Sequence, residues 1–231
     1  MAKPAIHILS SMPVSAEECN NASLILERTF DSVSALLKAF DAGTSPGRPT
    51  DEQQDLLRAM LVMAAAGVDA MAKQLIRDSL PTLVRNYPNV AAGLETFIAR
   101  QIRDDSDLLE SGGARNFLAR ILAAPSHQTQ VIEEYIKTLT AGSLQSATEL
   151  FHIAEALGLS GSSLGMDKSA LQAIFNLRNK IIHELDIVGF GQQGRLRNIR
   201  NRTDMVKHTN TLLRTAEALR DAVDQKLISS G

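Results

Sequence analysis

Apolar residues recur at helical spacing along almost the whole chain, and no alternating apolar–polar stretch exceeds four or five residues. The pattern predicts an all-α fold, an antiparallel multi-helix bundle. Ser15, followed three residues later by Glu18, reads as a capping box. It opens a helix carrying Leu24, Ile25, Ala35, Leu36, Leu37 and Phe40 that ends near Gly43. Residues 44–49 predict a loop from their Pro and Gly content. Thr50 and Gln53 form a second capping box. The helix behind it runs through Leu56, Leu57, Met60, Leu61, Met63 and Val68 to about Leu80, and Pro81 and Pro88 punctuate the chain beyond it. Val90 to Arg103, Leu108 to Ala123, Thr129 to Thr140 and Leu144 to Leu157 read as further helices, the second shortened by Gly112-Gly113. A glycine- and serine-rich stretch at about 158–166 predicts a flexible connector. Asp167 caps the next helix, residues 188–202 with three glycines are irregular, and a last helix runs from about Thr203 to Leu227. No internal repeat is visible, and residues 1–231 read as a single domain.

The helix after Asp167 breaks its own pattern. Leu171, Ile174, Ile181 and Leu185 fall at the three-and-four spacing of a buried seam, and Arg178 sits in that series where an apolar residue is expected. Asn179 and His183, four apart, lie one turn above each other on the adjoining face. A guanidinium on a seam must find an acceptor or suffer a large desolvation cost. It therefore pairs internally, or points into a polar cleft or a subunit junction.

Composition narrows the function classes. Hydrophobic residues make up 44%, enough for a real core, while aromatics are 4% with no Trp. A net charge of -2 argues against polyanion binding by the whole surface but leaves room for a local basic patch. Such a patch exists: Arg195, Arg197, Arg200, Arg202 and Lys207 share their stretch with one acid, Asp204. It reads either as a solvated loop and helix start or as a strip contacting flanking phosphates. No aromatic residue is interleaved, so base stacking is poorly supported. The lone cysteine, Cys19, cannot form an internal disulfide, and no apolar run approaches the roughly 20 residues that cross a bilayer. The start of the chain lacks the form of a secretory signal, which leads to the expectation of a soluble cytoplasmic protein with no membrane partner.

Two motifs fit known chemistries poorly, and two others are missing. Residues 189–194 match the dinucleotide spacing Gly-x-Gly-x-x-Gly, but a helix precedes them and no parallel sheet is evident. Glu149 and His152 have the Glu-x-x-His spacing of di-iron bundles without the required second copy. With one Cys and scattered His there is no zinc ligand cluster, and no phosphate loop ending in Gly-Lys-Ser/Thr occurs. The reading therefore needs no metal and no cofactor. Asp69, a lone acid in an Ala-rich helix, either bonds to a neighbour at the core edge or pairs with Arg178 and positions it.

An Arg–His pair suits RNA cleavage. The ribose 2′-hydroxyl supplies the nucleophile, so the protein needs only a base, an acid and charge stabilisation. One helix offers one His, and a two-fold dimer repeats it across its axis. At residues Arg178-Asn179-Lys180-Ile181-Ile182-His183 the chain resembles the HEPN domains, in which an Arg, usually followed by a polar residue, precedes a His by four to six residues. More narrowly it resembles the RiboL-PSP-HEPN type, with Asp69 at that family's acidic position and Arg202, Asp204 and Thr209-Asn210-Thr211 in the closing helix. The resemblance implies a homodimer joined through the Arg178–His183 helix and metal-independent endoribonuclease activity, often in toxin–antitoxin or antiphage systems, with a cognate antitoxin as a further partner. It assigns Arg178 and His183 to catalysis and Asn179 to the polar position between them. Arg195, Arg197, Arg200 and Arg202 would hold flanking RNA phosphates. Two rivals stay open: a non-catalytic HEPN-like module that binds RNA, a nucleotide or a protein, and a plain helical scaffold, in which His183 merely favours a helix C-terminus.

Overall fold

A computed structural model describes residues 4–7, 14–43, 49–103, 113–161, 164–165, 167–188 and 197–229. After a 3-10 turn at Glu17–Cys19 come eight helices among the described residues: α1 (Asn20–Gly43), α2 (Asp51–Asn86), α3 (Pro88–Arg103), α4 (Gly113–Ala123), α5 (His127–Thr140), α6 (Ala147–Ala156), α7 (Lys168–Glu184) and α8 (Arg202–Ile228). The described residues contain no strand, only an isolated antiparallel bridge between Ile187 and Arg197. The fold is all-α, as the apolar spacing predicts.

Local chemistry sets most boundaries. The Thr50–Gln53 capping box forms in both directions, and Asp167 accepts from the backbone N–H of Ala170 at 3.0 Å. Ser146 and Glu149 build another box and start α6 at Ala147, three residues later than the apolar pattern suggests. The expected Ser15 box does not form. The backbone N–H groups of Ser15 and Ala16 instead donate to the Asp224 carboxylate on α8, at 2.9 and 2.7 Å, and this tertiary partner displaces the local one. Helix α2 also runs past Leu80. Pro81 lacks the N–H that would bond to Arg77, a penalty of about 3 kcal/mol inside a helix. Leu83 and Val84 are buried beyond it, at roughly 1.5–3 kcal/mol each, which offsets that penalty.

Helix α2 is the hub, packed against α1, α3, α5, α7 and α8. It is long and apolar enough to cross a membrane by length and composition, but 56% of that apolar window is buried inside the protein. One contiguous cluster of buried side chains runs from Ile6 to Leu227, with Phe175 of α7 fully enclosed in it. Cys19 belongs to this core, and burial, reinforced by Asp224 and Glu18, pushes its thiol up to about 12.

Helices α1 and α2 meet at Gly67. A Cβ there would lie 2.1 Å from Thr29 Oγ1 and 2.7 Å from Thr29 Cβ, so the helix backbones themselves would have to separate. Gly67→Ala is expected to destabilise by about 1–3 kcal/mol in urea unfolding despite its better helix propensity. Gly142→Ala, with nothing within 4 Å of its would-be Cβ, serves as the neutral control.

Candidate active site

Helix α7 lays Leu171, Ile174, Phe175 and Ile181 into the core, and Arg178 sits half-buried in that row. Its Nη1 donates to Asn179 Oδ1 at 2.9 Å, which draws the guanidinium toward the Asn179 face. Its Nε is sealed from solvent and finds no hydrogen-bond partner among the described residues. The Asn179 amide reaches on and donates to the Gln145 carbonyl at 3.0 Å. His183, one turn beyond Asn179, is exposed.

The loop between α5 and α6 is where several sequence-derived residues converge. Asp69 Oδ1 accepts from the Leu144 backbone N–H at 2.9 Å, and Asn179 holds the carbonyl of the very next residue. Gln172 of α7 accepts from the Ala147 N–H at 3.1 Å. Asp69 thus shares a loop with Asn179 without pairing with Arg178: its other oxygen takes Lys73 Nζ at 2.8 Å, one turn along α2. The core-edge reading of Asp69 is the one the geometry gives. Glu149 and His152 line a small cavity of about 230 Å³ beside the same loop, with Lys73, Ser143 and Leu144. The Glu149 carboxylate is occupied by the backbone N–H groups of Gln145 and Ser146. Among the described residues no group of three or more His, Cys, Asp or Glu gathers as a metal site.

Asp186 carries no sequence signal, yet it fixes the end of α7. Leu185 and Asp186 both adopt left-handed backbone, at φ 50° and 62°. Such a conformation persists only where surroundings over-determine it. The Asp186 side chain is 0% exposed and takes Arg58 Nε at 3.0 Å, Arg200 Nε at 2.8 Å, Asn198 Nδ2 at 3.0 Å and the Arg200 Nη2. Burial opposes charge on this carboxyl. The two arginines and Asn198 outweigh it and hold Asp186 below the usual carboxylate range. Burial likewise opposes charge on Asp55, and Arg197 with Arg58 outweighs it.

Of the described members of the basic strip, Arg197, Arg200 and Arg202 hold internal carboxylates, while Lys207 is exposed and forms no ion pair among the described residues. Arg197 pairs with Asp55 at 2.7 Å and donates to the Leu185 carbonyl at 2.9 Å, capping α7. Arg200 pairs with Asp186, and Arg202 grips Asp41 through two bonds of 2.7 Å while donating to the Pro4 carbonyl. Each acid lies far away in sequence or past a turn, so a local charge count could not pair them. Arg195 and the glycine motif at 189–194 lie outside the described residues. Compared with protein-family models, curated proteins and solved structures, the chain matches none.

Proposed function

We propose that the chain is a metal-independent endoribonuclease of the HEPN type, acting on single-stranded or looped RNA as a homodimer joined through α7. The observation that carries this reading is Arg178: a guanidinium in a helix seam, tethered by Asn179, with a buried N–H that has no partner among the described residues. The sealed Nε cannot itself meet a ligand, so a phosphate would be held by the terminal nitrogens of the half-buried guanidinium, whose planar fork matches it best. His183 lies in solvent on the same helix, where a substrate can reach it.

In this mechanism His183 takes the proton of the ribose 2′-hydroxyl, and the oxygen attacks the adjacent phosphorus. The bond to the 5′-oxygen breaks, and that oxygen receives a proton from the second copy's His183. Arg178 neutralises the charge that grows on the non-bridging oxygens. A toxin paired with an antitoxin is the setting this activity suits. Digestion of RNA in EDTA by wild type, Arg178→Ala and His183→Ala tests the reading, and equal cleavage by all three removes it.

A second reading, a non-catalytic RNA-binding module, draws on Asn179, whose amide is engaged in holding the α5–α6 loop. It predicts RNA binding that survives His183→Ala and no cleavage by any variant.

A further inference from the structure

We infer that the groove between α2 and α5 carries the phosphate backbone of single-stranded RNA toward the α7 site. The choice of RNA rests on the ribonuclease reading, but the residues are separate from Arg178 and His183.

Lys73, Arg77 and Arg85 continue from Asp69 along the four-residue ridge of α2, broken only by Pro81. At about 1.5 Å per residue they span roughly 18 Å of helix from Lys73 to Arg85. Arg77, Pro81 and Arg85 line a cavity of about 480 Å³ with Thr129, Ile132 and Glu133 of α5. Lys73 lines the neighbouring 230 Å³ cavity against Thr138 and Leu139 of the same helix. The two cavities therefore lie along one interhelical groove. Its inner end lies at the loop where Asp69 holds Leu144 and Asn179 holds Gln145, directly beside α7.

Charge distinguishes this groove from the strip at residues 197–202. Arg197, Arg200 and Arg202 each grip a carboxylate, so a phosphate would have to displace an ion pair to reach them. Arg77 is exposed and makes no hydrogen bond or ion pair among the described residues. Arg85 is exposed and donates only its Nε, to the Pro81 carbonyl at 3.1 Å, which leaves its terminal nitrogens for a ligand. A phosphate meets these two guanidinia without breaking anything. Lys73 stays with Asp69 and supplies a weaker contact. Ile132 and Ile136 beside the arginines are aliphatic, no aromatic ring lines the arginine cavity, and the one ring in the neighbouring cavity is the His152 imidazole. Recognition beside Arg77 and Arg85 then runs through the backbone and tolerates any sequence, since no ring there offers a stacking platform. Glu133 is the one acid beside the arginines in their cavity, and it weakens anion binding there.

The test is fluorescence anisotropy of the full chain with a 2′-O-methylated, uncleavable strand of about 20 nucleotides, longer than the ~4–16 nucleotides one groove covers. Salt is varied between about 50 and 200 mM. The Arg77→Gln/Arg85→Gln double variant is expected to bind about tenfold more weakly, with a salt slope shallower by about 1.4, two contacts at roughly 0.7 each. Glu133→Gln is expected to bind more tightly. All three side chains are exposed, so melting curves matching wild type are expected, and they certify the comparison. Unchanged affinity and slope in the double variant overturns the inference. So does polyglutamate competing as well as RNA, which would assign the groove to an acidic peptide. A parallel EDTA cleavage assay separates the two proposals. Cleavage that needs His183 while the double variant binds like wild type sinks the groove alone. Lost binding in the double variant with no cleavage by any protein sinks the nuclease alone.

Discussion

Asp186→Ala is expected to lower stability by about 3–5 kcal/mol, the cost of stripping one partner from a buried ion cluster. That is a large share of a typical domain's total of about 5–15 kcal/mol. The magnitude comes from the groups left behind. Arg58, 3% exposed, loses its Nε acceptor, and Arg200 loses both of its carboxylate contacts. Arg200 then has no anion among the described residues, and Arg58 keeps only the half-exposed Asp55 and the Asn198 carbonyl. Urea unfolding at pH 7 measures the loss. Arg197→Gln is the contrasting variant: its partner Asp55 is half exposed, so breaking that pair is expected to cost no more than about 1 kcal/mol. If both changes cost the same, the buried cluster is not the lock on α7.

The same cluster predicts acid sensitivity. Asp186 and Asp55 are held below the usual range in the folded chain, so they bind protons less readily than in the unfolded chain. Their contribution is fully present above the unfolded value of about 3.9. It is lost as pH falls below that value toward the folded ones, because the unfolded state then binds more protons. Stability from these groups is flat between neutral pH and about 4, then falls, and Asp186→Ala is expected to flatten that fall.

On the ribonuclease reading proposed above, His183→Ala is expected to slow RNA cleavage by about 10²–10⁴-fold, the usual worth of a positioned proton-transfer group. The side chain is exposed at the last turn of α7, so its loss removes little packing, and thermal melting is expected to match wild type. A slow but fully folded variant thus separates chemistry from stability. Arg178→Lys complements it. Lysine keeps the charge but not the planar fork, and it cannot hold Asn179 and a phosphate in the same geometry. Activity well below wild type but above Arg178→Ala is expected. Full activity in Arg178→Lys would mean that charge alone suffices there.

Helix content is legible in this sequence because apolar spacing and caps are local signals. Thr50 with Gln53, and Asp167, mark true helix starts without any tertiary knowledge. The anomaly of Arg178 is legible for the same reason, since a charged residue interrupts a row of buried neighbours. The features that escape a sequence reading depend on distant partners. Ser15 loses its cap to Asp224, more than 200 residues away. Asp69 turns to Lys73 and the Leu144 backbone. The basic strip meets Asp41 and Asp55 only after α1 and α2 have folded against it. A short acid after a helix end, such as Asp186, is ordinary until Arg58 and Arg200 arrive from either side. Arg77 and Arg85, scattered along a helix rather than clustered in sequence, become a pair only when α5 walls their groove.

Cys19 is the sole cysteine of the chain, enclosed in the core with a thiol at about 12. At neutral pH it stays protonated and out of reach of maleimides. A cysteine introduced at Glu184, in the exposed last turn of α7, would then be the single labelling position, with no need for a cysteine-free background. In the homodimer proposed above, spin labels attached there would report the separation between the two α7 helices from a dipolar spectrum, and a chain that stays single would give no dipolar coupling.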